Sequence, residues 1–145
     1  MIALLQRVTY AHVEVDGQLI GQIAHGLLVF FCAQPNDREE QIPAVLNRVL
    51  NYRVFADAGG KMNRSVRDVA GGVLLVPQFT LAADTRSGLR PSFSTAASPQ
   101  RGRELFDCAW QTLQTLHPNC ARGAFGADLK VSLLNDGPAT FWLQS

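Results

Sequence analysis

Hydrophobic and polar positions alternate through much of this chain, and the alternation predicts strands before anything else. Ile2 to Val8 reads as a strand, and Ala11 to Val15 alternates apolar with polar, the period of a half-buried strand. Asp16-Gly17 is a hairpin turn signal, so Gln18 to Ala24 is expected to return as the partner. Gly26 to Ala33 is a continuous apolar run of strand length and predicts a central, fully buried strand. The period then changes. Val45, Leu46, Val49 and Leu50 have helical spacing, within a helix expected over roughly Asp37 to Tyr52. Asp37 and Glu40 have capping-box spacing, while Pro43 fits only the first turn, which moves the expected start toward Ile42. Arg53-Val54-Phe55 predicts a short strand before the Gly59-Gly60 turn. Gly71-Gly72 opens a second buried strand at Val73 to Val76, with Gln78 to Leu81 continuing it.

Asp84 to Ser94 lacks any period and reads as a loop. Ser98-Pro99 is a helix start, a cap followed by proline in the first turn. The helix would turn Leu105, Cys108, Ala109, Thr112, Leu113 and Leu116 to one face and stop at His117-Pro118. The last quarter returns to strands at Ala121 to Phe125, Lys130 to Leu134 and Thr140 to Leu143. Many strands with two main helices predict an α+β fold with mixed or antiparallel sheet.

Composition narrows the picture. With 145 residues the chain is sized for one domain, residues 1–145, and 47% apolar content excludes a wholly disordered chain. Charged residues make up only 17%, which points to surface buried in an oligomer. No apolar run is long enough to span a bilayer, and the first residues do not read as a signal peptide, so a cytoplasmic domain is expected. Cys32, Cys108 and Cys120 are odd in number and widely spaced, and His12, His25 and His117 form no ligand pair, so neither a disulfide framework nor a metal site is expected. Charge is uneven. Between Arg53 and Arg103 eight basic residues face three aspartates, a local excess of five. Such a segment is either a solvated face or a patch that meets a phosphate backbone.

Familiar catalytic signatures are absent: there is no G-x-S-x-G elbow, no GxGxxG and no complete P-loop around Gly59-Gly60-Lys61-Met62. Two segments stand out instead. Pro77-Gln78-Phe79-Thr80-Leu81-Ala82-Ala83-Asp84 runs from a buried strand into the cationic loop Gly88-Leu89-Arg90-Pro91-Ser92-Phe93. Asn135-Asp136-Gly137-Pro138-Ala139-Thr140 interrupts the C-terminal strands with a Gly-Pro turn.

With these residues the chain resembles the D-aminoacyl-tRNA deacylases, also called D-tyrosyl-tRNA deacylases. The resemblance is nearly full length and includes Met1 to Val8, Gly60-Lys61-Met62-Asn63, Gln78 to Ala82, Arg90 to Phe93, Asn135-x-Gly137-Pro138-x-Thr140 and Phe141 to Gln144. It implies a single domain whose mixed or antiparallel sheets curl toward a barrel. It also implies a homodimer that hydrolyses the ester between a D-amino acid and the 3′-terminal adenosine of tRNA, with glycyl-tRNA as a further substrate. Neither a cofactor nor a metal is implied.

The resemblance further implies a cis Gly137–Pro138 peptide that reaches from one subunit into the active site of the other. Its carbonyls would hold the substrate ammonium and reject an L side chain. Asn135, Thr140 and Arg7 would join Gly137 and Pro138 in binding the substrate, with Arg7 bracing the Gly-Pro loop. Backbone N–H groups near Phe79 and Thr80 would stabilise the oxyanion, Gln78 would orient the adenosine or the attacking water, and the adenosine 2′-hydroxyl would assist. Arg90, Pro91, Ser92 and Phe93 would meet tRNA. Thr80 as a nucleophile is the other reading of that residue, although no base stands beside it in sequence.

The design is physically coherent. A desolvated ammonium without partners costs several kcal/mol, and about 1.4 kcal/mol is already tenfold, so a steric clash with one enantiomer discriminates strongly. One departure from the family pattern matters. Serine usually precedes the glutamine, whereas this chain has Pro77, which lacks both a hydroxyl and an N–H. A mechanism independent of side chains predicts that activity persists. The alternative is a non-catalytic module that binds tRNA ends and has lost activity through Pro77.

Overall fold

The computed structural model describes residues 1–145. Strands β1 (Ile2–Val15), β2 (Gln18–Ile23) and β3 (Gly26–Cys32) lead into helix α1 (Ile42–Asn51). A small ribbon of β4 (Phe55–Ala56) and β5 (Met62–Arg64) precedes β6 (Gly72–Pro77), helix α2 (Pro99–Leu116), β7 (Cys120–Arg122) and β8 (Lys130–Gln144). The main sheet runs β2-β1-β3-β6-β7, with β8 on the other edge of β1. Its β3–β6 and β6–β7 pairs are parallel and the rest antiparallel, so the sheet is mixed as expected.

The sheet curls until its ends nearly meet. At Gly21 of β2 a single added Cβ would lie 2.6 Å from the Arg122 carbonyl oxygen of β7. Only glycine lets the two backbones come that close, and the seam turns the sheet into a nearly closed barrel.

Both faces of the central strands are buried, which explains their unbroken apolar runs. Leu27, Val29 and Phe31 of β3 and Val73 and Leu75 of β6 pack with α1 and α2 in the larger core. The intervening Leu28, Leu74 and Val76 join Val8, Ala11, Val13 and Ile23 in the barrel interior. Each alternation along a strand thus feeds one of two cores.

Helix α1 begins at Ile42 with Pro43 in its first turn and buries Ile42, Val45, Leu46, Val49 and Leu50. The capping box lies one residue later than the sequence implied. Arg38 N–H donates to Gln41 Oε1, whereas Asp37 accepts from Gln34 N–H and the Met1 nitrogen. Helix α2 is capped by Ser98, whose Oγ accepts from Arg101 N–H, and it buries Leu105, Phe106, Ala109 and Leu113. Phe106 therefore takes the place in the core that periodicity assigned to Cys108 and Leu116, both of which pack at its edge.

Several strand expectations are corrected. Ile2–Val8 and Ala11–Val15 are one 14-residue strand, because an extra residue on β1 between Val8 and Tyr10 is absorbed as a bulge against Asn135 and Leu134. The first short strand of the ribbon is Phe55–Ala56 rather than Arg53–Phe55, and β7 ends at Arg122 rather than Phe125. Gln78 to Leu81 does not extend β6. The chain turns into a short 3₁₀ segment at Phe79–Ala82.

Candidate active site

Residue Pro77 ends β6, paired in register with Phe31, and the next N–H, that of Gln78, donates to the Phe31 carbonyl at 2.8 Å. Proline is tolerated there because the ladder is finishing. The 3₁₀ turn that follows leaves the N–H groups of Phe79 and Thr80 without partners inside the turn, while Leu81 N–H closes back on Gln78. Gln78 Nε2 donates to Thr80 Oγ1 at 2.6 Å, so the two side chains hold each other. Beneath the turn, Cys32 Sγ lies 3.6 Å from the Phe79 carbonyl. Burial pushes this thiol up to about 11, so it stays protonated at neutral pH.

Gln78 and Phe79 line the rim of a cavity of about 770 Å³. Its walls are mainly apolar and include Phe31, Phe106, Phe125 and Leu129. Phe93 closes one side, its ring 5.0 Å from that of Phe79 and set edge-on. The loop carrying Phe93 is tied down at its ends. Asp84 and Ser92 exchange backbone hydrogen bonds, Arg86 chelates the Asp84 carboxylate, and Thr95 Oγ1 donates to the Ala82 carbonyl. The Arg86 guanidinium holds the Asp84 carboxyl well below the usual carboxylate range. Arg90, Pro91 and Ser92 are exposed on this loop beside the cavity.

A second cluster sits on β8. Thr140 pairs with Gln6 and Asn135 with Val8, so the four residues Asp136–Ala139 stand opposite the single residue Arg7. The surplus is thrown out as a loop holding a cis Gly137–Pro138 peptide, with both residues exposed. Asn135 pins the neck: its Oδ1 accepts from Ala139 N–H at 2.8 Å, and its Nδ2 reaches Gln6 Oε1 at 2.9 Å and Thr140 Oγ1 at 3.1 Å. Arg7 Nε donates to the Asp136 carbonyl at 2.8 Å and Nη1 to the Val54 carbonyl at 2.5 Å. Position 137 admits only glycine. Its φ is +146°, and an added Cβ would lie 2.9 Å from both Arg7 Nη2 and Ala139 N.

The sequence-derived residues thus fall into two groups. Gln78, Phe79 and Phe93 meet at the cavity, with Thr80, Arg90, Pro91 and Ser92 adjoining in the chain. Arg7, Asn135, Gly137, Pro138 and Thr140 form the other group, and none of them lines the cavity. Sequence reasoning missed Cys32, the Val54 carbonyl and the cavity wall at Phe106 and Phe125. Their only sequence signal is apolarity, shared with every core residue. The basic segment is also thinner than composition implied. Arg64, Arg67, Arg86, Arg101 and Arg103 are engaged by protein groups. Arg53, Lys61 and Arg90 remain exposed, their side chains in none of the hydrogen bonds or ion pairs.

The family model described as D-Tyr-tRNA(Tyr) deacylase matches residues 4–144. A D-aminoacyl-tRNA deacylase of Janthinobacterium sp. (strain Marseille) is 60% identical over 144 residues, covering 99% of this chain and 97% of the relative. One from Pseudomonas entomophila (strain L48) is 57% identical, with 99% of each chain covered. Among solved structures, a c-Myc DNA Unwinding Element Binding Protein superposes with a TM-score of 0.94 at 33% identity, covering 100% of this chain and 99% of its own. A probable eukaryotic D-amino acid tRNA deacylase superposes with a TM-score of 0.86 at 15% identity, covering 98% and 97%, which bears on the fold alone.

Proposed function

Because the chain belongs to the D-Tyr-tRNA(Tyr) deacylase family, we propose that it works as a homodimer in the cytoplasm, each copy completing the other's site. The protein is a D-aminoacyl-tRNA deacylase, an ester hydrolase. The observation that carries the shared site is the separation of its parts. The cavity holds Gln78 and Phe79, while the Gly137–Pro138 loop of the same chain is exposed and contributes nothing to that cavity. A second copy supplies the loop without any rearrangement of the first. Tyr10, Leu134 and Trp142 are about half exposed on β1 and β8, with Tyr10 paired to Leu134. Burying such apolar surface favours association.

In this reading the terminal adenosine enters the cavity and the ester carbonyl lies against the 3₁₀ turn. The free N–H groups of Phe79 and Thr80 stabilise the oxyanion as it forms. Gln78, held by Thr80, orients the adenosine or the attacking water, and the adenosine 2′-hydroxyl assists. The Thr80 hydroxyl accepts from Gln78 and has no hydrogen-bonded base, which supports a reaction without a side-chain nucleophile. The partner's Gly–Pro carbonyls receive the substrate ammonium, and their backbone occupies the space an L side chain would need. Glycine has no side chain to clash, so glycyl-tRNA is also cleaved. Arg7, Asn135 and Thr140 keep the loop in place, and Arg90 to Phe93 meet the tRNA.

The test sets D-tyrosyl-tRNA and L-tyrosyl-tRNA side by side with the purified protein. The D ester is expected to disappear while the L ester survives. Equal loss of both would remove the chiral filter. Salt-dependent tRNA binding with neither ester lost would instead establish a binding module inactivated by Pro77.

A further inference from the structure

We propose that the hairpin Phe55–Arg64, through Lys61 and together with Arg53 just before it, contacts the tRNA backbone held in the neighbouring copy's site rather than in its own. The inference rests on the shared-site reading above.

Three observations carry it. First, Arg53, Lys61 and Arg90 are the exposed cations of the basic segment whose side chains are not engaged by protein groups. Arg90 stands on the loop whose Phe93 and Ser94 line its own cavity, whereas Arg53 and Lys61 lie in a segment that contributes no residue to that cavity.

Second, Arg7 ties the root of the hairpin to the Gly–Pro loop. One guanidinium bridges the carbonyls of Val54 and Asp136, which places them within about 8 Å of each other. A loop that enters a neighbour's cavity therefore takes the hairpin root with it. The ribbon strands are two and three residues long, so they extend from that root by roughly 7–10 Å at strand rise, with the turn beyond them.

Third, the hairpin is built to keep its lysine free. Its one carboxylate, Asp57, accepts from Gly59 N–H, Lys61 N–H and Asn63 Nδ2. That carboxylate is consumed inside the turn, and Lys61 Nζ is left with no partner. A tight turn and two unpaired cations, beside a carboxylate already bound by three neutral donors, suit the phosphates that precede a bound terminal adenosine.

The first experiment compares D-tyrosyl-tRNA with D-tyrosyl-adenosine as substrates for Lys61→Glu and Arg53→Glu. For the tRNA, KM at low salt is expected to rise about tenfold, and the slope of log affinity against log salt to fall by about one per lost phosphate contact. Turnover of D-tyrosyl-adenosine, which has no such phosphates, is expected to stay as in the wild type. Unchanged KM and salt slope would overturn the proposal, as would equal loss on both substrates.

The second experiment assigns the contact to a copy. Chains carrying Gly137→Val, which cannot donate a loop, are mixed by co-expression with chains carrying Ala127→Trp, which plugs the cavity at a wall residue. The mixed dimer has one complete site, so activity should return where each homodimer lacks it. Lys61→Glu is expected to impair that site only when placed on the Ala127→Trp chain, the loop donor. Impairment from the Gly137→Val chain, or from both equally, would overturn the proposal while leaving the shared site standing. Failure of the mixture to regain activity would remove the shared site itself, and this inference with it.

Discussion

Arg7 is a single side chain whose two donor atoms serve main-chain carbonyls 47 and 129 positions away. Removing it strips two part-buried carbonyls of a charged partner, each bond worth about 1.5–3 kcal/mol. Arg7→Ala is expected to lower kcat on D-tyrosyl-tRNA by about 10- to 100-fold and to lower the melting temperature by roughly 5–15 °C, since about 1 kcal/mol moves the midpoint by a few degrees in a domain of this size. Steady-state kinetics beside a thermal melt checks both. Thr80 gives the converse case. Thr80→Ala removes a hydroxyl that orients Gln78 but leaves the backbone N–H, so activity should stay within about tenfold of wild type. Loss of about a thousandfold or more in single-turnover assays would make the hydroxyl the nucleophile. The sequence pointed to both residues, yet not to their partners. Carbonyl oxygens look alike at every position, so nothing in the chain marked Val54 or Asp136 as what Arg7 would find.

Among the elements, the hairpin at β4 and β5 depends on one carboxylate. Asp57 accepts from the Asn63 amide and from two backbone N–H groups, which hold its carboxyl below its ordinary value. A carboxyl whose folded value is depressed stabilises fully above its unfolded value, near pH 4, and the contribution is lost as pH falls below that toward the folded value. Hydrogen-exchange protection at Gly59 and Lys61 should therefore fall as pH is lowered below about 4. Asp57→Asn should show low protection with little dependence on pH over that range. Element prediction from the chain succeeded where chemistry is local. Ser98-Pro99 set the start of α2, Pro43 set the start of α1, and Asp16-Gly17 set the first hairpin. It failed where pairing decides. The turn after Gln78 and the fusion of two predicted segments into β1 depend on what the neighbouring strand offers, which local periodicity does not record.

Taken whole, the molecule encloses two cores with one sheet, and the fold class was readable from many strands with two main helices, two of those strands, β3 and β6, being apolar on both faces. The division of the candidate site entered the sequence reading only through the family resemblance, because nothing in the residue pattern itself separates the two halves. In the structure the register of β8 against β1 throws the Gly–Pro loop out of the ladder, away from the cavity lining. That register has a further consequence. Four residues oppose one at the Gly–Pro segment, so three are surplus to the ladder, and pairing resumes at Thr140 on one side and Asn135 on the other. Excising Asp136, Gly137 and Pro138 would let Thr140 and Asn135 keep their present partners, with only the bulge between Val8 and Tyr10 left in the ribbon. The shortened protein is expected to fold, with a circular dichroism spectrum and melting temperature near those of the parent, and to hydrolyse nothing. Architecture and catalysis would then be separable by scissors: the strand is the mount, and the three residues are a detachable tool.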